Sequence, residues 1–246
     1  IDYMVSRPEV DPERLGIHGV SGGGTQSAYI AAFDDRILAA APSNYITSFH
    51  RLIESIGPQD AEQNFYSGLA EGIDHADLLE VRAPKPVLVM ATTRDFFSIQ
   101  GVRETVGEVR RIYQATGAPD HLVTVEDDLG HGTTQKSREA LYAFFQKHLG
   151  LPGDPTEQAI KWLRPEELRI TETGQLTTSL DTRTAYQVNA RETSDQLRQL
   201  RGSRENLSTH LPRVQKASRE LSGYLPPAGR PQPVFTGRYQ CQGYTV

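Results

Sequence analysis

Residues 86–91 read Pro-Val-Leu-Val-Met-Ala, an apolar run too short for a helix and the strongest buried-strand signal in the chain. Similar but weaker runs stand at 15–20, 37–41 and 121–125, and helical patterns lie between them. Residues 25–33, with three Ala and one Ile, read as a helix. Val102, Val106, Val109 and Tyr113 share one face of a helix over 102–115, and Gly117 ends it. Leu141, Phe144, Phe145 and Leu149 share the apolar face of another over 137–149. Strand–helix alternation of this kind predicts a parallel sheet covered by helices on both faces.

Residues 47–82 break the alternation with a mixture of Gly, Pro, Gln and Asp, and are expected to form an irregular excursion over the sheet's upper edge. The pattern changes again near residue 150. Residues 1–150 carry 13 Lys and Arg against 21 Asp and Glu, whereas residues 151–246 carry 13 against 10. Leu151-Pro152-Gly153-Asp154-Pro155 at the changeover reads as a linker. The expected organisation is therefore a first domain over 1–150, a mostly helical extension over 151–232 and the start of a possible second module over 233–246. Within the extension, 168–178 reads as a small hairpin turning at Thr173-Gly174. Residues 191–221 read as two polar helices split near Ser208.

Composition removes several function classes. The net charge of −5 disfavours a general nucleic-acid binder. No apolar run reaches the length of a membrane span. Cys241 is the single cysteine, so an internal disulfide or a multi-cysteine zinc site is excluded. No metal-binding motif appears, and neither a metal nor a cofactor is expected. No basic stretch followed by an apolar run opens the chain, and the sequence leaves the compartment and the oligomeric state open.

Gly19-Val20-Ser21-Gly22-Gly23 fits the G-x-S-x-G pattern of a nucleophile elbow. A serine standing on a sharp strand-to-helix turn needs small residues two before and two after it. The Gly22 N–H then points where an oxyanion would form, beside the positive end of the helix. A glycine-rich turn that merely packs or binds phosphate is the other reading, but neither G-x-G-x-x-G nor G-x-x-x-x-G-K-[ST] is present.

A serine hydroxyl needs a base, and the base needs an orienting acid. On this kind of sheet their chain order is Ser, then Asp or Glu, then His. Asp95 follows the 86–91 strand at its carboxyl end, where ligands and catalytic groups gather. His131 lies between Gly130 and Gly132, after the last strand of the first part. Asp127 and Asp128 compete with Asp95 as its orienter. Within the excursion, Glu54, Asp60, Glu62, Gln63 and Asn64 cluster, and Glu62 and Asn64 are the candidates for contacting a hydroxyl-rich substrate.

These residues resemble a family. Residues 10–17 leading into Gly19-Val20-Ser21-Gly22-Gly23-Gly24 are similar to the α/β-hydrolases known as acetyl xylan esterases. So are Phe33-Asp34-Asp35-Arg36, Ala39-Ala40-Ala41-Pro42, Thr93-Arg94-Asp95-Phe96-Phe97 and the Gly130-His131-Gly132 loop. The resemblance covers about residues 1–150. It implies an α/β chain with a partial α/β-hydrolase fold and an α+β C-terminal extension. It also implies Ser21 as nucleophile, Asp95 as acid, His131 as base and deacetylation of a carbohydrate ester as the reaction. A small-molecule or carbohydrate ester is the implied partner, with no nucleic acid or membrane, and a soluble, secreted or periplasmic setting fits the family. A serine peptidase of the prolyl-oligopeptidase type and a non-catalytic hydrolase-like module are the alternatives. Family members carry several strands ahead of the elbow, together with the loop that gives the second oxyanion N–H, whereas here twenty residues precede Ser21. The chain is therefore expected to be a fragment with an open sheet edge, poorly soluble and inactive alone.

Overall fold

The computed structural model describes every residue except Pro58, Pro227, Pro231, Thr236, Tyr239 and Val246, and every side chain besides those except Glu62, Cys241, Tyr244 and Thr245. The chain forms two compact units, Ile1–Ile160 and Lys161–Val246.

The first unit begins with α1 (Asp2–Val5), β1 (Leu15–Val20), α2 (Gly22–Phe33) and β2 (Ile37–Ser43). α3 (Phe49–Ser55) and α4 (His75–Glu80) follow, then β3 (Val87–Thr92), α5 (Ile99–Ala115), β4 (Leu122–Asp127) and α6 (Gln135–His148). The four strands pair in parallel in the order β1-β2-β3-β4. Every residue of β3 is buried. Its alternation divides the core: Val87, Val89 and Ala91 pack with Ala28, Leu79, Val102, Val109 and Tyr113 from α2, α4 and α5. Leu88 and Met90 face the other way, onto Ala39, Ala41 and the α6 residues Leu141 and Phe144. A strand buried on both faces needs apolar residues at every position, which is why 86–91 reads as a continuous run.

The excursion over 47–82 is more ordered than its composition suggests. Ser48 accepts the Arg51 N–H to start α3, and Asp74 and Asp77 form a capping box at α4. Both helices contribute to the interior through Leu52, Ala76, Leu78 and Leu79. The polar residues that suggested an irregular loop are in part helix caps. Between the helices the backbone is largely irregular and, among the described residues, holds a 3-10 turn at Ala61–Gln63.

The second unit consists of α7 (Leu176–Ser179), α8 (Ala185–Arg204) and α9 (Leu207–Ser222), with β5 (Gln240–Cys241) antiparallel to β6 (Tyr244–Thr245). The hairpin expected over 168–178 is absent. The turn at Thr173-Gly174 exists, with Gly174 at φ 79°, but it runs into α7 rather than a returning strand. There the Thr173 N–H donates to Ser179 Oγ at 3.0 Å, so a hydroxyl takes the bond a partner strand would have taken. The two long helices separate at Glu205-Asn206, slightly ahead of Ser208. Of the proposed module over 233–246, the ribbon of β5 and β6 is described, and Thr236, Tyr239 and Val246 lie outside the described residues. No helix among the described residues is long and apolar enough to cross a membrane.

Candidate active site

Ser21 joins β1 to α2 with φ 58° and ψ −121°, a conformation that a residue with a side chain adopts only at a cost. Both backbone groups of Ser21 are committed. Its N–H donates to the Ser43 carbonyl at 3.0 Å, continuing the β1–β2 ladder, and its carbonyl accepts the Thr25 N–H at 2.9 Å as the first helical bond. The side chain makes no capping bond to the helix it precedes, so the hydroxyl is not spent on local structure. The first N–H groups of α2 have no intrahelical partner, and they gather positive potential beside Ser21.

The glycines around the serine differ in what they do. A Cβ on Gly19 would stand 2.1 Å from the Gly23 carbonyl oxygen, and one on Gly24 would stand 2.4 Å from the Ser43 carbonyl oxygen. A Cβ on Gly23 would meet nothing within 4 Å. The expectation that both outer glycines of the motif avoid collisions is therefore corrected: Gly19 does, Gly23 does not, and Gly24 is the second position where space is short.

Asp95 lies just beyond β3 and His131 just beyond β4, so parallel strands carry both to the same carboxyl edge of the sheet as Ser21, which lies just beyond β1. The His131 Nδ1 stands 2.9 Å from Asp95 Oδ1 and 3.0 Å from Oδ2. The Asp95 side chain is 1% exposed and that of His131 27%. A buried carboxylate requires hydrogen bonds. Asp95 receives them from the Phe97 N–H at 3.1 Å, from Asn44 Nδ2 at 2.8 Å and from His131. With Asp95 ionised, Nδ1 carries the ring proton and Nε2 presents a lone pair.

The competing acids are engaged elsewhere. Asp128 accepts from Thr93 Oγ1 at 2.6 Å and Arg94 Nε at 2.9 Å, and these partners, Thr93 first, hold its carboxyl below the usual range. Asp127 accepts the Asp128 N–H at 2.9 Å. Its carboxyl is lowered chiefly by a hydrogen bond from Thr134.

The other histidines have different tasks. His18 Nδ1 lies 2.8 Å from the Ala41 carbonyl, His75 is fully buried, His121 and His148 meet edge to face, and His210 pairs with Ser203.

Of the excursion candidates, Asn64 donates both amide hydrogens to its own loop, at the Gln59 and Asp60 carbonyls, each at 2.9 Å. The Glu62 side chain lies outside the described residues. Glu54 pairs with Arg51, and the Gln63 carbonyl accepts the Tyr29 hydroxyl at 2.6 Å.

Three residues near the pair carry no signal in the sequence pattern. Asn44 and Thr92 bond to one another behind Asp95. Phe96, 49% exposed, sets its ring 4.4 Å from that of His131. Phe96 sits within the Thr93–Phe97 resemblance, which is the one hint available for it.

The sequence model of the prolyl oligopeptidase family matches residues 1–152. The chain belongs to that family. YtaP of Bacillus subtilis (strain 168), whose name places it among the hydrolases, is 31% identical over 154 residues, which make up 61% of this chain and 50% of YtaP. Among solved structures, the methylesterase BT1017 superposes with a TM-score of 0.52 at 28% identity, over 63% of this chain and 34% of its own. A carbohydrate esterase family 15 glucuronoyl esterase from Caldicellulosiruptor kristjansonii gives a TM-score of 0.49 at 18% identity, over 65% of this chain and 50% of its own. This prolyl oligopeptidase family chain thus spans half the length of YtaP and 34% of the methylesterase. Its first unit has the α/β-hydrolase arrangement, with helices on both faces of a parallel sheet.

Proposed function

We propose that the chain carries the catalytic centre of a serine hydrolase that cleaves carboxylic esters, with Ser21 as nucleophile, His131 as base and Asp95 as orienting acid. The observation that carries this reading is the hydrogen bond between buried Asp95 and part-exposed His131 at the same sheet edge as a serine on a strained elbow. In the reaction, His131 Nε2 takes the Ser21 proton as Oγ attacks the acyl carbon. Asp95 steadies the imidazolium, and the Gly22 N–H with the start of α2 stabilises the oxyanion. Collapse expels the alcohol, which takes the proton from His131. Water, deprotonated by His131, then attacks the acyl-enzyme and releases the acid and Ser21.

For the substrate we propose an ester borne by a carbohydrate. The likeness to acetyl xylan esterases supports an acetyl group on a sugar, and the methylesterase BT1017 supports a methyl ester. The second reading, a serine peptidase, is favoured by the family match itself.

The test uses the protein at its full natural length with three substrates: an acetyl ester, a methyl ester and a prolyl-peptide anilide. Turnover of either ester in preference to the anilide is expected, and Ser21→Ala should lower it by about a million-fold. Faster cleavage of the anilide replaces the esterase by the peptidase. Turnover unchanged in Ser21→Ala removes Ser21 from the mechanism.

A further inference from the structure

We propose that Asn44 is a positioning residue whose single side-chain amide holds both the acid and the loop of the base; this rests on the reading of Asp95 and His131 given above. Asn44 directly follows β2, and β2 lies between the strand of Ser21 and the strand of Asp95. Its φ of 50° is left-handed, a conformation that Asn tolerates better than most residues with a side chain. Its N–H donates to the Met90 carbonyl at 2.9 Å, tying the turn to β3. The residue is 3% exposed, so its amide has to find partners within the protein.

The hydrogen-bond directions fix the orientation of that amide. Ser43 Oγ donates to Asn44 Oδ1 at 2.7 Å, which leaves Nδ2 on the opposite side. The Thr92 hydroxyl gives its one proton to the Gly130 carbonyl at 2.8 Å. It can therefore only accept from Asn44 Nδ2, at 2.9 Å. The second Nδ2 proton goes to Asp95 Oδ2 at 2.8 Å. Gly130 immediately precedes His131. One NH₂ group thus braces the carboxylate directly and, through Thr92, the peptide that presents the imidazole. The sheet does not need this chain of side-chain bonds in order to form, since β2 and β3 pair through their backbones. Its effect is on the alignment of Asp95 with His131.

Two substitutions separate this role from a structural one. Asn44→Gly keeps the left-handed backbone accessible and deletes the amide. Asn44→Asp keeps the shape but places a carboxylate oxygen against Asp95. Two carboxylates that close cannot both ionise, so they share a proton and Asp95 is drawn away from His131.

The measurements are kcat and KM on whichever ester the wild type turns over, the thermal midpoint, and the low-field proton resonance of the Asp95–His131 hydrogen bond, assigned by its loss in His131→Gln. Both variants are expected to lower kcat by roughly 10- to 100-fold with KM within about two-fold, as for a misplacement on the order of 1 Å. Both should also shift or broaden the low-field signal. A folded Asn44→Asp that keeps wild-type kcat and an unmoved signal overturns the proposal. The resonance needs no turnover. If the wild type hydrolyses no ester but Asn44→Asp still moves the signal, the hydrolase reading fails while the bracing of the pair stands.

Discussion

His131 Nδ1 and the carboxylate of Asp95 meet at 2.9 Å across 36 residues of sequence. The contact joins a side chain that is 1% exposed to one that is 27% exposed. The carboxylate is withdrawn into protein and the imidazole stands at the rim, the arrangement the proposed base needs if it is to reach a nucleophile and substrate. Three hydrogen-bond donors reach Asp95 at that depth, so its buried oxygens are partnered.

Removing the charge while keeping the shape isolates that contribution. Asp95→Asn should leave the fold intact and lower kcat by about 10⁴, because an amide at this position stabilises the wrong tautomer of His131 and no imidazolium. KM should change little. A steady-state comparison with wild type on the same ester checks this; a loss confined to KM would give Asp95 a role in binding instead.

The elbow's two outer glycines should respond oppositely. Gly19→Ala drives a methyl into the Gly23 backbone at 2.1 Å, and backbone cannot rotate away. Gly23→Ala meets open space. Thermal unfolding should show Gly19→Ala destabilised by about 1–3 kcal/mol, as for overpacking generally, with Gly23→Ala near wild type. Equal losses in the two variants would contradict the packing described for the elbow.

His75 supplies a pH-dependent element of stability. Burial pushes its imidazole down to about 4, against an opposing pull from Asp74. Its Nδ1 accepts the Thr47 N–H at 3.1 Å while its ring stacks on Tyr45. The unfolded chain protonates this group near 6.5 and the folded one does not until about 4. Between those values the unfolded state therefore binds more protons, and stability falls as pH falls. The slope approaches about 1.4 kcal/mol per pH unit and levels off below about 4. His75→Asn keeps an acceptor for Thr47 and removes the titration. Urea midpoints measured from pH 7 to pH 4 should diverge between the two proteins if His75 titrates in this way. Parallel curves would show that His75 is accessible to protons in the folded state.

How much of the fold is legible in the sequence depends on how local each signal is. The buried strand at 86–91 announces itself because both of its faces are covered, and the strands at 15–20 and 121–125 are bounded by turns. The elbow is legible because its glycines answer to contacts a few residues away, although Gly24 rather than Gly23 fills the crowded position behind the serine. The helices at 49–55 and 75–80 are hidden because Ser48, Asp74 and Asp77, residues typical of loops, act as caps there. The turn at Thr173-Gly174 reads as a hairpin because turn chemistry does not specify whether a strand or a helix comes next.

Asn44 could not be found in this way. Its value lies in Asp95, 51 residues away in sequence, and in Thr92, 48 residues away. No periodicity or spacing encodes those contacts; they exist only once β2 and β3 are side by side.

The central claim is that Ser21 is a nucleophile activated by His131, and covalent trapping tests it without knowledge of the natural substrate. The protein at its full natural length is treated with a fluorophosphonate, digested and mapped by mass spectrometry. The account predicts one stoichiometric adduct, on the peptide containing Ser21, and its loss in His131→Ala. An adduct on a different residue, no adduct on folded protein, or labelling of Ser21 that is indifferent to His131 would contradict it.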